Sequence, residues 1–226
     1  MSPSAIPPGP TPARATETTA GPRPGDRAAP RATRRRGETL TRAIYQATLE
    51  ELARTSLEEL TFDKIAPLAG TGKSALYRRW STPAQLVLAA LTDPSTGFGA
   101  PPAPPDTGSL RADLIDLLGR LARVLDESRG RALRPLVIQR PRHPKIFDEV
   151  HRLVVWPHQQ ILLAALRAAA ERGEAAPQCV TPRVASVGPR LIIAESLEKD
   201  AVDQAEVQAI VDEVLLPLTA PRQWKS

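Results

Sequence analysis

The chain has 226 residues, with 30 Lys and Arg against 25 Asp and Glu, 24 prolines and one cysteine. That length suffices for one large domain or two small ones with a buried core. No apolar run nears the ~20 residues of a membrane span, and MSPSAIPPGP lacks the basic and apolar regions of a secretory leader. A lone cysteine makes neither an internal disulfide nor a Cys-rich zinc site, so the expected compartment is the reducing cytoplasm.

Charge is unevenly spread. Residues 31–80 carry ten Lys and Arg against six acids, whereas the 146 residues after them hold 17 of each sign. A basic end joined to a neutral body favours an anionic polymer as partner for that end.

In chain order, residues 1–30 hold eight prolines and one branched aliphatic side chain, Ile6. They bury too little apolar surface to offset chain entropy and read as disordered. Arg34, Arg35 and Arg36 close a basic run that suits either an arm on a polyanion or an ordinary solvated charge run. Amphipathic periodicity through Leu40, Ile44, Ala47 and Leu52 predicts a helix over about 38–54. Thr61 can cap a short helix that points Phe62, Ile65, Ala66 and Ala69 inward, with Pro67 tolerable only because the helix is short. Gly70-Thr71-Gly72 supplies a turn, and a third helix over about 73–80 puts Leu76 and Trp80 on one face. Thr82-Pro83 opens a fourth helix, to about Leu91.

Residues 93–108 are rich in Pro and Gly and read as a loop. A leucine stripe then predicts a helix from the Ser109 cap to about Glu127, and a short helix follows over about 131–140. A long helical stretch over about 145–172 should kink or break at Pro157. Two last segments lie at about 182–198, interrupted at Gly188-Pro189, and about 203–218. No sustained period-2 alternation occurs, so the predicted fold is all-α. The predicted domains are a tail (1–30), a basic three-helix domain with its following helix (31–92), a loop (93–108) and a helical domain (109–226).

The string Gly70-Thr-Gly-Lys-Ser74 resembles the end of a phosphate-binding loop. That motif needs glycine where Pro67 stands and a preceding strand where the spacing is helical, so nucleotide hydrolysis is set aside. Two short helices around a tight glycine turn instead suit a helix-turn-helix, whose second helix offers its side chains to the major groove. Thr71, Lys73, Ser74, Tyr77, Arg78 and Arg79 form its outward set. The bland alternative is an ordinary solvated helix face.

Residues 40–91 resemble the DNA-binding domain of the TetR family of transcriptional regulators. The likeness rests on Thr61, on Ile65-Ala66-x-x-Ala69-Gly70 across the turn, and on Leu76-Tyr77-x-x-Trp80; over 109–218 it is looser. The resemblance implies a recognition helix of Lys73–Trp80, with Lys73, Ser74 and Arg79 toward bases and Thr61 and Tyr77 toward phosphates. It also implies a homodimer on a palindromic operator, usually a repressor, released by a small-molecule effector in the C-terminal domain. Thr55, Thr71, Ala75 and Pro83 depart from the family pattern, and the Arg34–Arg36 run is a candidate source of the phosphate charge that Pro83 lacks.

In the C-terminal part, Gln139, His151, Trp156 and His158 are polar or aromatic exceptions in aliphatic helices and become the candidate effector-lining residues. A mostly apolar wall suits a hydrophobic ligand. The helices at about 184–198 and 203–218 are the expected dimer interface. No histidine, cysteine or carboxylate set has metal-ligand spacing, and no nucleophile–base arrangement is visible, so neither a cofactor, a metal nor an enzyme is expected. The competing reading is an all-α protein–protein interaction module whose basic end binds an acidic partner.

Overall fold

A computed structural model describes residues 29–199 and 201–221, those of 29–36 by their backbone alone. Of the tail expected to be disordered, residues 1–28 lie outside the described ones, while Ala29 and Pro30 are helical. All regular structure among the described residues is helical.

Helix α1 spans Ala29–Arg54 and so starts well before the expected residue 38. Ala and Arg are good helix formers, and Pro30 sits in the first turn, where its missing N–H has no partner to lose. The run read as an arm, Arg34–Arg36, is thus helical in its backbone; its side chains lie outside the described ones. Helix α2 is Phe62–Leu68 and α3 is Lys73–Tyr77. The Thr61 hydroxyl accepts from the Lys64 N–H and caps α2. Gly70 adopts φ 63°, the left-handed region, with its N–H on the Pro67 carbonyl and the Thr71 N–H on the Ala66 carbonyl. These two bonds stop α2 and swing the chain into α3. Helix α3 ends at Tyr77 rather than Trp80, because the Arg79 and Trp80 N–H groups both turn onto the Leu76 carbonyl. Helix α4, Pro83–Thr92, follows, its Thr82 cap accepting from the Gln85 N–H.

Helix α5 is Leu110–Asp126, capped by Ser109. The single short helix expected next is two pieces, α6 (Ser128–Arg131) and α7 (Leu133–Ile138). Pro135 cannot donate to the Arg131 carbonyl and instead occupies the first turn of a restarted helix. Helix α8 (Pro144–Val150) runs through a π-helical turn, His151–Val155, into α9 (Trp156–Glu171). The chain therefore does not break at Pro157. The Trp156 N–H reaches back to the His151 carbonyl, and this wider turn absorbs the bond that the proline deletes. The same device recurs near the C-terminus. Helix α12 (Gln204–Ala209) enters a π turn at Ile210–Leu215, and α13 (Leu216–Thr219) follows with Pro217 as its second residue. Between these lie α10 (Pro182–Ala185) and α11 (Val187–Glu198). Their break is at Ser186, not at Gly188-Pro189, which fit the first turn of α11. A Cβ on Gly188 would come within 3.0 Å of Leu118 and Leu215 methyl carbons, so its absence lets α11 close on α5.

Two hydrophobic clusters organise these helices. The first joins Ile44, Leu52, Ile65, Leu76, Leu86 and Leu91 of α1–α4 to Leu136, Val150 and Val154. The second gathers the α5 leucines, Ile161, Leu166, Ile192, Val211 and Leu215. The α8–α9 rod thus feeds both clusters, its π turn lying where one gives way to the other.

Candidate nucleic-acid interface

The short helix α3 can hold its place only through its neighbours, since isolated helices of this length are unstable. Leu76 is fully buried against Ile65 and Ala66, which hides the inner face of the turn. Tyr77 sets its ring edge-on to Phe62 at 4.8 Å, and Trp80 meets Tyr45 of α1 at 5.8 Å. The opposite face is open. Lys73, Ser74, Tyr77, Arg78 and Arg79 are exposed, while Thr71 in the turn is half-buried.

Polar ties aim two of these side chains. The Arg79 guanidinium donates to the Thr41 hydroxyl at 2.7 Å, and that hydroxyl donates to the Gly37 carbonyl. The Lys73 ammonium pairs with the Asp63 carboxylate of α2. Through that hydrogen bond and charge, Asp63 holds the Lys73 ammonium above its ordinary pKa. Thr41 and Asp63 were absent from the sequence-level set. They lie on other helices, at separations that no helical period connects to Arg79 or Lys73, and only the crossing of the helices brings them in.

Residues 44–90 match the sequence profile of the bacterial regulatory proteins of the tetR family, and residues 104–214 match the Tetracyclin repressor-like C-terminal domain. A DNA-binding transcriptional repressor TetR of Mycobacteroides abscessus is 32% identical over 187 residues, which cover 82% of this chain and 97% of that protein. The chain belongs to the TetR family. An uncharacterized HTH-type transcriptional regulator of Mycobacterium tuberculosis is 30% identical over 175 residues, 77% of this chain and 85% of its own. The crystal structure of the TetR family transcription regulator SCO0332 is similar with a TM-score of 0.52 at 25% identity, covering 79% of this chain and 99% of that one. Membership of the TetR family makes the chain a DNA-binding transcriptional regulator and α2–α3 its helix-turn-helix.

The four residues expected to line an effector pocket are spread over the end of α7, the π turn and the first turn of α9. The Gln139 side-chain carbonyl accepts from the Leu57 N–H at 3.2 Å, tying the end of α7 to the loop after α1. His143 and Arg142 reach Glu58 on that same loop. His151 is exposed beside Phe147, and Trp156 is 43% exposed. His158 is half-buried, its Nδ1 2.8 Å from the Val154 carbonyl and its ring edge-on to Phe98. A small cavity in the C-terminal part, about 10 Å³, is walled by Leu114, Leu162, Leu166, Val184, Leu215 and Thr219. All but Thr219 are aliphatic side chains, indistinguishable in sequence from plain core. Among the described residues, no helix is long and apolar enough to cross a membrane.

Proposed function

We propose that this regulator is a homodimeric repressor that occupies a palindromic operator and leaves it when a small apolar effector enters the C-terminal cluster. The observation that carries the reading is the face of α3, where Leu76 is buried while Lys73, Ser74, Tyr77, Arg78 and Arg79 stand in solvent. In this reading Lys73, Ser74 and Arg79 face base edges, and Arg78 and Thr71 flank them. Thr61 and Tyr77 reach phosphates at the mouth of the groove, with the Arg34–Arg36 run adding charge along the backbone.

Dimerisation through 184–198 and 203–218 accounts for apolar side chains left in solvent there: Leu197, Val214 and Leu218 are each 39–50% exposed. Pairing these helices across a two-fold axis buries them and sets two recognition helices one turn of B-DNA apart, about 34–36 Å.

A cavity of about 10 Å³ has room for about one water, far below the ~300–1,000 Å³ of a ligand pocket. An effector entering it must therefore push α10 and α11 off α5. The displacement has a route to the DNA-binding end. The α8–α9 rod buries Ile161 and Leu166 in the second cluster and Val150 and Val154 in the first. A coupling of about 1–3 kcal/mol is typical of such linkage, and reciprocity makes the operator weaken effector binding by the same factor.

Selection of bound sites from random duplex DNA tests the reading. It should return a two-fold symmetric site whose affinity falls steeply with salt. No preference for any duplex over bulk competitor would favour the protein–protein interaction module instead.

A further inference from the structure

We propose that Asp63 is a specificity-determining residue of the DNA interface, forming with Lys73 a joined acceptor and donor that read one G·C base pair. This rests on the DNA-binding reading of α3 and goes beyond it, since a carboxylate is not what an operator-facing surface needs for affinity.

Asp63 stands in the first turn of α2 and Lys73 is the first residue of α3. Their side chains are 62% and 59% exposed, yet they pair with each other across the turn. Burial does not force the pair together. Among the described residues, Lys73 is the one cation of the recognition set with an acidic partner: Arg79 is held by the neutral Thr41 hydroxyl, and the Arg78 side chain has neither a hydrogen bond nor an ion pair. A carboxylate at this point weakens any phosphate contact by Lys73, because the pair is close to neutral overall and the acid repels the DNA backbone. What the pair offers instead is a pattern. The ammonium carries three donors, and one is spent on Asp63. The other two can meet two adjacent acceptors, with the second carboxylate oxygen beside them as an acceptor.

In the major groove, G·C displays N7 and O6 side by side on guanine, followed by the N4 amine donor of cytosine. That order complements two donors followed by an acceptor. An A·T pair places the N6 amine between its two acceptors and sets a donor against the ammonium. The paired side chains therefore favour G·C, whereas Lys73 without Asp63 is a point charge that any phosphate can attract.

Site selection from random duplex DNA with wild type, Asp63→Ala, Asp63→Glu and Lys73→Ala tests this, together with a salt titration on bulk duplex and a thermal melt of each protein. Wild type should hold a G·C pair at one position of each half-site. Asp63→Ala should lose that preference by about tenfold, within the range of a good base contact. It should also bind bulk duplex more tightly, its log–log salt slope steeper by up to ~0.9 for one added phosphate contact. Asp63→Glu should keep the preference, and Lys73→Ala should lose it at the same position. A base preference unchanged in Asp63→Ala, with only the melting temperature lowered, would reduce Asp63 to a helix-end charge and overturn the proposal. So would a Lys73→Ala protein that loses a different base pair. If wild type selects no duplex at all, the DNA reading itself fails, and this inference falls with it.

Discussion

The cluster around Ile65 and the cluster around Leu118 are both aliphatic, but they hold their helices by different means. In the first, α2 and α3 have seven and five residues, too short to persist alone. Their ends are written out: a hydroxyl cap at Thr61, a left-handed glycine at Gly70, a second hydroxyl cap at Thr82 before Pro83. In the second, α5 and α9 have 17 and 16 residues and are positioned by leucine stripes and by the close approach at Gly188. Short helices need explicit start and stop signals, whereas long ones can be placed by packing alone. A recognition element built from the former is legible residue by residue. A cavity between the latter is a gap between stripes and has no motif.

The largest effects are expected at the centre of each cluster. Leu76 and Leu118 are both fully buried, so Leu→Ala at either should cost about 2–5 kcal/mol in denaturant unfolding. Hydrogen exchange should separate them: Leu76→Ala should loosen α2–α3 amides first, and Leu118→Ala those of α5 and α11. Equal loss of protection everywhere in both variants would mean that the clusters unfold as one unit.

The helix caps come next in size. Thr61→Ala and Thr82→Ala should each cost about 1 kcal/mol, the usual worth of a hydroxyl cap, and should lower operator affinity because they tilt α2 or α4. Ser109→Ala should cost stability without touching operator affinity, since α5 lies outside the helix-turn-helix. Operator affinity that falls for Ser109→Ala as much as for Thr61→Ala would contradict the division.

The smallest effect is a pH dependence. Asp93 follows α4, where partial burial pushes its carboxyl up, but hydrogen bonds from the Ser95 and Thr96 hydroxyls and amides outweigh this and leave its pKa lowered. A group whose pKa is lower folded than unfolded adds stability above the unfolded value, and that stability is lost as pH falls through the folded one. The stability gap between wild type and Asp93→Asn should therefore be full at pH 5–7 and shrink below about pH 4, near the ordinary Asp value. Urea midpoints at pH 3 and pH 5 read it directly, and an equal gap at both would count against the role of the ionised form.

Much of this was readable beforehand. Of the inward set, Ile65, Ala66, Ala69 and Leu76 are buried as their spacing requires and Trp80 is half-buried, and Thr61, Ser109 and Thr82 cap the helices that they were expected to cap. Long-range partners were not readable in the same way. Gln139 stood out as a polar side chain in an apolar helix, but its amide satisfies a backbone N–H 82 residues away. The proline that promised a break, at 157, sits instead just beyond a π turn that keeps its helix running, and Pro217 follows a π turn in the same way.

By itself, the order of residues determined the all-α class, the helix-turn-helix and which of its side chains face outward. Each of these follows from periodicity, caps and glycine conformations that act within about one helical turn. The tertiary structure alone decided that Lys73 answers to Asp63 and Arg79 to Thr41, 38 residues distant in the chain. It alone likewise put Leu136 and Val150 in the core of the DNA-binding end. Such contacts depend on how helices cross, and crossing is a property of whole packed surfaces that no local pattern encodes.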